Sequence, residues 1–146
     1  IDNLIKVNLT AAFYLSSRLM SIVNKQQTKL IITNISSGVS KTPIEGWSGY
    51  CVSKAGLNML TNCIIAEAKL HNLPISAVSI NPGALDTEMQ NKIRSADSNS
   101  IPITKKFIKM HTDGHLNKVD EVALKIFDLI EAEPFPQDEF VDFNLL

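Results

Sequence analysis

Lys29-Leu30-Ile31-Ile32-Thr33-Asn34-Ile35, followed at once by Ser36-Ser37-Gly38, is the stretch on which the fold turns. Its apolar run lacks the alternation of a half-exposed strand, and its β-branched side chains favour extended backbone. It therefore predicts a short strand buried on both faces. Residues 74–80, Pro74-Ile75-Ser76-Ala77-Val78-Ser79-Ile80, repeat the pattern and close on Asn81-Pro82-Gly83. Around these two strands the period changes. Residues 4–23 carry apolar side chains at Leu4, Ala11, Leu15, Leu19 and Ile22, the spacing of an amphipathic helix, and a longer helical pattern covers 48–71. A polar stretch from 86 to 118, with Ser-Ala-Asp-Ser-Asn-Ser at 95–100, is too long for a connector and predicts a lid or binding loop containing a short helix. A helix starting at 118 or 120 and ending at 133, then a strand over 139–143, complete the chain. The order helix, strand, helix, strand, lid, helix, strand implies an α/β fold, a doubly wound parallel sheet with helices on both faces.

The helix over 48–71 has an unusually broad apolar surface. Val52, Ala55, Met59, Cys63, Ala66 and Leu70 form one stripe, widened by Leu57, Leu60, Ile64 and Ala68. A helix apolar over most of its circumference is covered on two sides. Two readings stand: a helix deep within one chain, or one wedged between its own sheet and a partner subunit.

Composition narrows the function classes. The 146 residues suffice for one domain with a single core, and 45% apolar against 20% charged is ordinary for a globular protein. Net charge is −1 and the basic residues are scattered, so nucleic acid is not an expected partner. No apolar run approaches the ~20 residues of a membrane-spanning helix, and the first residues lack a secretory signal pattern. Cys51 and Cys63, 12 residues apart on one helix, would be separated by ~18 Å, beyond the ~7 Å limit for a disulfide. Two reduced thiols fit a cytoplasmic protein. The chain opens on Ile1 and enters a helical pattern at once, so it reads as a piece of something longer.

Few residues could carry chemistry. Tyr50 and Lys54 are four apart on the helix and share a face. A phenol titrates near ~10 and is a poor acid at neutral pH. An ammonium ~4 Å away, at an effective dielectric of ~20, favours phenolate by up to ~4 kcal/mol, about three pKa units. That would suit the pair to proton transfer at a carbonyl oxygen. Ser37 lies at the C-terminal end of a predicted strand, where open α/β sheets bind ligands, and its hydroxyl could hold a substrate oxygen. It could equally be a plain turn residue. Asn8 is a polar residue on an apolar stripe and needs a reason, either a site role or a buried bond to backbone. Asn81-Pro82-Gly83, with Thr87 four residues on, forms a second loop at the same sheet edge. His71, His111 and His115 lack metal-ligand spacing, so no metal is expected. Cys51 reads as an inert packed thiol, and Lys105, Lys106 and Lys109 as a solvated face of the lid.

Taken together, Asn8, Ser37, Tyr50 and Lys54 resemble, in order and spacing, the catalytic tetrad of the short-chain dehydrogenase/reductase family. The surrounding text agrees: Val7-Asn8-Leu9, Asn34-Ile35-Ser36-Ser37, Tyr50-Cys51-Val52-Ser53-Lys54-Ala55, and Asn81-Pro82-Gly83 with Thr87. The resemblance implies a Rossmann-like fold and hydride exchange between a nicotinamide cofactor and a small carbonyl substrate. Tyr50 would be the general acid, and Lys54 would lower its pKa and hold the nicotinamide ribose. Ser37 would orient the carbonyl, and Asn8 would anchor a water chain. The loop through Pro82, Gly83, Leu85 and Thr87 would meet the nicotinamide end. Within the family, Pro82 to Met89 resembles the loop of sepiapterin reductases and their microbial benzil-reductase relatives. The ending Phe140-Val141-Asp142-Phe143 also resembles the C-terminus of sepiapterin reductases, where an Asp in the matching context anchors the pterin substrate. By that analogy Asp142 would face the substrate pocket, the alternative being an edge-strand Asp in solvent. The group mostly uses NADPH, so NADP(H) is favoured and NAD(H) stays open. A homodimer through the helices at 2–23 and 48–71 is expected.

The chain departs from the family in what precedes it. The Gly-rich pyrophosphate turn, the first strands and the residue that separates NAD from NADP lie N-terminal to residue 1 in the family. Residues 1–146 would then be the C-terminal, catalytic part of one domain, with one side of the first strand unpaired. The alternative is a short non-catalytic product acting as a dimerisation or binding module.

Overall fold

The computed structural model describes residues 1–26, 28–97, 103–136 and 138–145. Three parallel strands, β1 (Leu30–Ile35), β2 (Ile75–Asn81) and β3 (Phe140–Asp142), lie in the order β1-β2-β3. The register pairs Leu30 with Ile75 through Ile35 with Ile80, then Ser79 with Phe140 through Asn81 with Asp142. Parallel neighbours need crossover connections, and long helices supply them. α3 (Ser48–Leu70) links β1 to β2, and α6 (Val119–Glu131) precedes β3.

The two predicted apolar runs bury both faces. On one face Val78 and Ile80 meet Val122 of α6 together with Phe135 and Phe143. On the other, Ile32 and Ala77 meet Ile64 of α3, with Met20 at the margin. The sheet is thus doubly wound. Val78 and Ile80 are fully buried, and truncating such a side chain to Ala costs about 2–5 kcal/mol.

The leading helix is interrupted. α1 (Asp2–Ile5) and α2 (Ala11–Gln26) flank a π-helical turn, Lys6–Thr10, centred on Asn8. Such turns widen a helix locally and recur at functional sites. Gly56 of α3 lies against this turn, where a Cβ would come within 2.8 Å of a Leu9 methyl carbon.

The apolar stripes of both long helices face outward. Leu15 is 65% exposed, Phe13 53%, Val52 62% and Met59 61%, while α3 buries Ser53, Leu57, Thr61, Ile64 and Ala68 instead. The reading of the second helix as deep within one chain is thereby corrected. Its sheet face is the Leu57–Ile64–Ala68 side, and the Val52–Met59–Leu70 side is bare. A small sheet offers only one face to each helix, so among the described residues the second apolar face is left exposed.

The lid holds two helices rather than one, α4 (Glu88–Arg94) and α5 (Ile103–Thr112). Part of the polar tract at 95–100 lies outside the described residues. Buried Thr104 ties the two by donating to Ile93 O at 3.3 Å. Among the described residues no helix is long and apolar enough to cross a membrane.

Candidate active site

The carboxyl ends of β1 and β2 open onto one edge of the sheet, and the sequence-selected polar residues gather there. β1 ends at Ile35. Ser37 then adopts an extended conformation (φ −166°, ψ 157°) and caps a single 3-10 turn, Gly38–Ser40, by accepting from Val39 N at 3.4 Å. Ser40 Oγ donates to Ser37 O at 2.6 Å, and Asn58 Nδ2 donates to Ser40 Oγ at 2.8 Å. Asn58 lies one helical turn beyond Lys54, so α3 holds the Ser37 turn with the same face that carries Tyr50 and Lys54.

The Ser37 hydroxyl lies close enough to the Tyr50 phenol to pull its pKa down. Burial is the larger effect and leaves Tyr50 above its ordinary value, with Cys51 adding a small upward push. Burial likewise lowers the Lys54 ammonium. The expected depression of Tyr50 by Lys54 is therefore corrected. Lys54 Nζ turns to donate to Ile35 O at 2.7 Å and stands 5.8 Å from the Tyr50 ring centroid. Its charge serves the end of β1 before it serves the phenol.

Asn8 takes a position behind the helix. Its Nδ2 donates to Ser53 Oγ at 3.1 Å, and Ser53, wholly buried, donates to Tyr50 O at 2.8 Å. The π-helical turn is thereby tied to the backbone of the residue that carries the phenol. Sequence singled out Asn8 but passed over Ser53, whose signal was a hydroxyl on the buried face of an otherwise apolar helix.

The second loop is held more fully. Asn81 Oδ1 accepts from Gly83 N at 3.1 Å, while its Nδ2 donates to Asp142 Oδ1 at 2.8 Å, as their pairing in register allows. The same Asp142 oxygen accepts from Asn144 N at 2.8 Å. Asp142 is thus half-buried and bonded to the loop-bearing strand, and is not an edge residue in open solvent. Pro82 is buried, and the Leu85 side chain packs into the α6 core. Thr87 caps α4 by accepting from Gln90 N at 3.4 Å. Asn117, which sequence did not single out, bridges to Leu85.

An aromatic wall completes the edge. Trp47 meets the Tyr50 ring edge-on at 5.9 Å and stacks with Phe107 of the lid at 6.1 Å. A Trp three residues before the Tyr was the available signal. Among the described residues no group of three metal-ligating side chains could hold an ion, and Cys51 and Cys63 are free.

The profile of the family described as short chain dehydrogenase matches residues 1–98. The benzil reductase ((S)-benzoin forming) of Bacillus cereus is 36% identical over 137 residues, spanning 94% of this chain and 55% of that protein. Mouse (Mus musculus) sepiapterin reductase is 30% identical over 144 residues, 98% of this chain and 53% of its own length. Among solved structures, the KRED1-Pglu enzyme superposes with a TM-score of 0.73 at 25% identity, covering 94% of this chain and 56% of that one. 4-Hydroxyisoleucine dehydrogenase complexed with NADH shares the fold at a TM-score of 0.68, 94% of this chain overlying 56% of that one at 24% identity. The chain spans about half the length of the curated relatives it matches. A parallel sheet wound on both faces, a Tyr and Lys one turn apart at its carboxyl edge and this profile match agree: the chain belongs to the short-chain dehydrogenase/reductase family.

Proposed function

We propose that this chain is the catalytic, C-terminal part of a cytoplasmic carbonyl reductase that reduces a ketone, α-diketone or pterin side-chain carbonyl with a nicotinamide cofactor, NADP(H) in preference to NAD(H). The observation that carries the reading is the gathering of Ser37, Tyr50 and Lys54 at the carboxyl edge of a parallel sheet, beside the Pro82–Thr87 loop. The donors present suit the nicotinamide-ribose end of such a cofactor. They comprise a phenol and an ammonium already engaged on a carbonyl oxygen.

When bound, the reduced nicotinamide supplies the hydride. In this reading Ser37 holds the substrate carbonyl oxygen by hydrogen bond. Tyr50, kept protonated by burial, gives its hydroxyl proton to that oxygen as it gains negative charge. Lys54 fixes the end of β1 and offers its remaining N–H donors to the ribose. Asn8, through Ser53, holds the helix backbone that aims the phenol; the water chain that the resemblance implies would start from the same turn. The loop through Pro82, Gly83, Leu85 and Thr87 meets the nicotinamide end, and Asp142 sets that loop from the neighbouring strand and faces the substrate. Trp47 and Phe107 would flank a planar substrate, as a diketone or pterin would be.

The test is turnover by the complete protein with NADPH or NADH and two carbonyl probes, an aryl α-diketone and sepiapterin. Oxidation of either cofactor by either probe supports the reading, and absence of turnover in all four combinations removes it. The bare apolar sides of α2 and α3 favour a homodimer through residues 2–23 and 48–71. Between these helices runs a groove of ≈ 580 Å³ lined by Leu9, Phe13, Met20 and Leu60. Light scattering of the complete protein should return twice the chain mass. A monomer would leave those faces to another partner, the sense in which the chain would act as a binding module.

A further inference from the structure

We infer that Asn117, the last residue before the cap of α6, is a positioning residue that clamps the cofactor-facing loop to the exit of the lid. The inference rests on the proposed role of the Pro82–Thr87 loop. Asn117 holds that loop at three points. Its backbone N–H donates to Ala84 O at 2.8 Å, its carbonyl accepts from Asp86 N at 3.1 Å, and its Nδ2 donates to Pro82 O at 3.1 Å. The first two bonds make a parallel bridge between Leu85 and Asn117, a fragment of sheet outside the three strands. The third needs a side-chain amide of this length, because backbone bonding is already spent on the bridge.

Gly83 shows how closely the amide lies. Its φ is +74°, the left-handed region that favours glycine, and a Cβ there would stand 2.5 Å from Asn117 Nδ2 and 3.0 Å from Asn144 Oδ1. The loop is therefore gripped between Asn117 on one side and the Asn81–Asp142–Asn144 ties on the other. Both ends of the lid, Asp86 and Asn117, are joined by the same bridge. α4 and α5 thus lie between pinned ends, and the bridge fixes the loop independently of them. Neither a motif nor a hydrophobic period marks Asn117 in the sequence; only the fold brings it to residue 82.

The deciding variant is Asn117→Asp in the complete protein. It keeps the backbone bridge, removes the Nδ2 donor and turns a carboxylate toward the Pro82 carbonyl. Hydrogen exchange should quicken at the amides of Gly83 and Asp86 and stay unchanged in β1, β2 and α3. KM for NADPH should rise about tenfold, the scale of one lost hydrogen bond, with kcat within about twofold and a melting temperature lowered by no more than a few degrees. Asn117→Ala, which adds no charge, should give the same split if the aspartate variant folds poorly. Unchanged exchange at Gly83 and Asp86 overturns the clamp. So does exchange that quickens throughout the domain as the melting temperature falls, since that marks a merely structural residue. If the wild-type protein turns over neither cofactor, the carbonyl-reductase reading falls while the exchange measurement still decides the clamp.

Discussion

The carboxyl ends of β1 and β2 lie side by side and are finished to different degrees. Past β2, the loop-holding groups have partners within the chain: Asn81 is bonded at both ends of its amide, the Pro82 carbonyl takes Asn117, and the Asp86 N–H takes its carbonyl. Past β1, buried Ser36 Oγ and Thr33 Oγ1 are unpaired, Ile35 is 44% exposed at the free edge, and the Lys54 ammonium spends a donor on a strand-end carbonyl. The end of β1 is thus held chiefly by the Lys54 ammonium and the Asn58–Ser40 bond, while the loop past β2 is tied down by bonds within the chain. The chemistry of the proposed reaction is assigned to the first and the geometry to the second.

The sharpest way to break that division is Tyr50→Phe in the complete protein. Carbonyl reduction should fall by ~10²–10⁴-fold while NADPH binding, read by direct titration, stays intact. Retained turnover would move the acid elsewhere. The pH profile sharpens the same point. Tyr50 sits above its ordinary value, so the protonated phenol needed for reduction persists through neutral pH. The rate of reduction should therefore hold across neutral pH and decline only on the alkaline side, by up to about tenfold per pH unit beyond the phenol pKa. Oxidation of the alcohol needs phenolate and should rise with pH over the same range. A loss of reduction beginning below pH ~8 would mean that bound cofactor or substrate brings the Lys54 charge to bear on the phenol after all.

At the β2 end the informative pair is Asp142→Ala and Asp142→Asn. The alanine variant leaves buried Asn81 Nδ2 without an acceptor and should lower stability to denaturant by about 1–3 kcal/mol. The asparagine variant keeps an oxygen for Asn81 and Asn144 and should nearly restore it. If Asp142→Asn restores stability yet raises the substrate KM, Asp142 also touches substrate; if both recover, its work is confined to the loop. The smallest effect is expected from Phe107→Ala. Losing one stacked ring is worth about 0.5–1.5 kcal/mol, a few-fold to tenfold rise in KM for an aryl diketone and little change for a small aliphatic ketone. An equal change for both substrates would make the stack a lid contact rather than a wall for planar substrates.

The parallel sheet could be read from two short β-branched runs because a strand covered on both faces has no room for polar alternation. Ser37, Tyr50 and Lys54 could be found because helix periodicity and strand ends fix their neighbourhood in one dimension. What escaped is three-dimensional. The outward turn of Leu15, Val52 and Met59 depends on how many faces a three-strand sheet can cover, which periodicity does not reveal. The upward direction of the Tyr50 shift comes from burial, which spacing does not report, and four-residue spacing lets the Lys54 side chain go either to the phenol or to the Ile35 carbonyl. Asn117 lies 35 positions from Pro82 and became a neighbour only when α6 folded back under the loop.

Beneath α3 runs a polar seam. Asn34 Nδ2 donates to Thr61 Oγ1 at 2.9 Å, and Thr61 Oγ1 lies 2.8 Å from Ser79 Oγ and 3.1 Å from Leu57 O, with Thr61 and Ser79 both buried. Apolar packing alone tolerates sliding, because a helix advanced by one turn, ~5.4 Å, still presents greasy side chains to a greasy sheet. Hydroxyl and amide partners do not tolerate it: after such a slip each would face hydrocarbon. Thr61 therefore works as a registration mark, three turns down the helix from the phenol. It sets how far Tyr50 protrudes over the strand ends to within the tolerance of a hydrogen bond, a few tenths of an ångström.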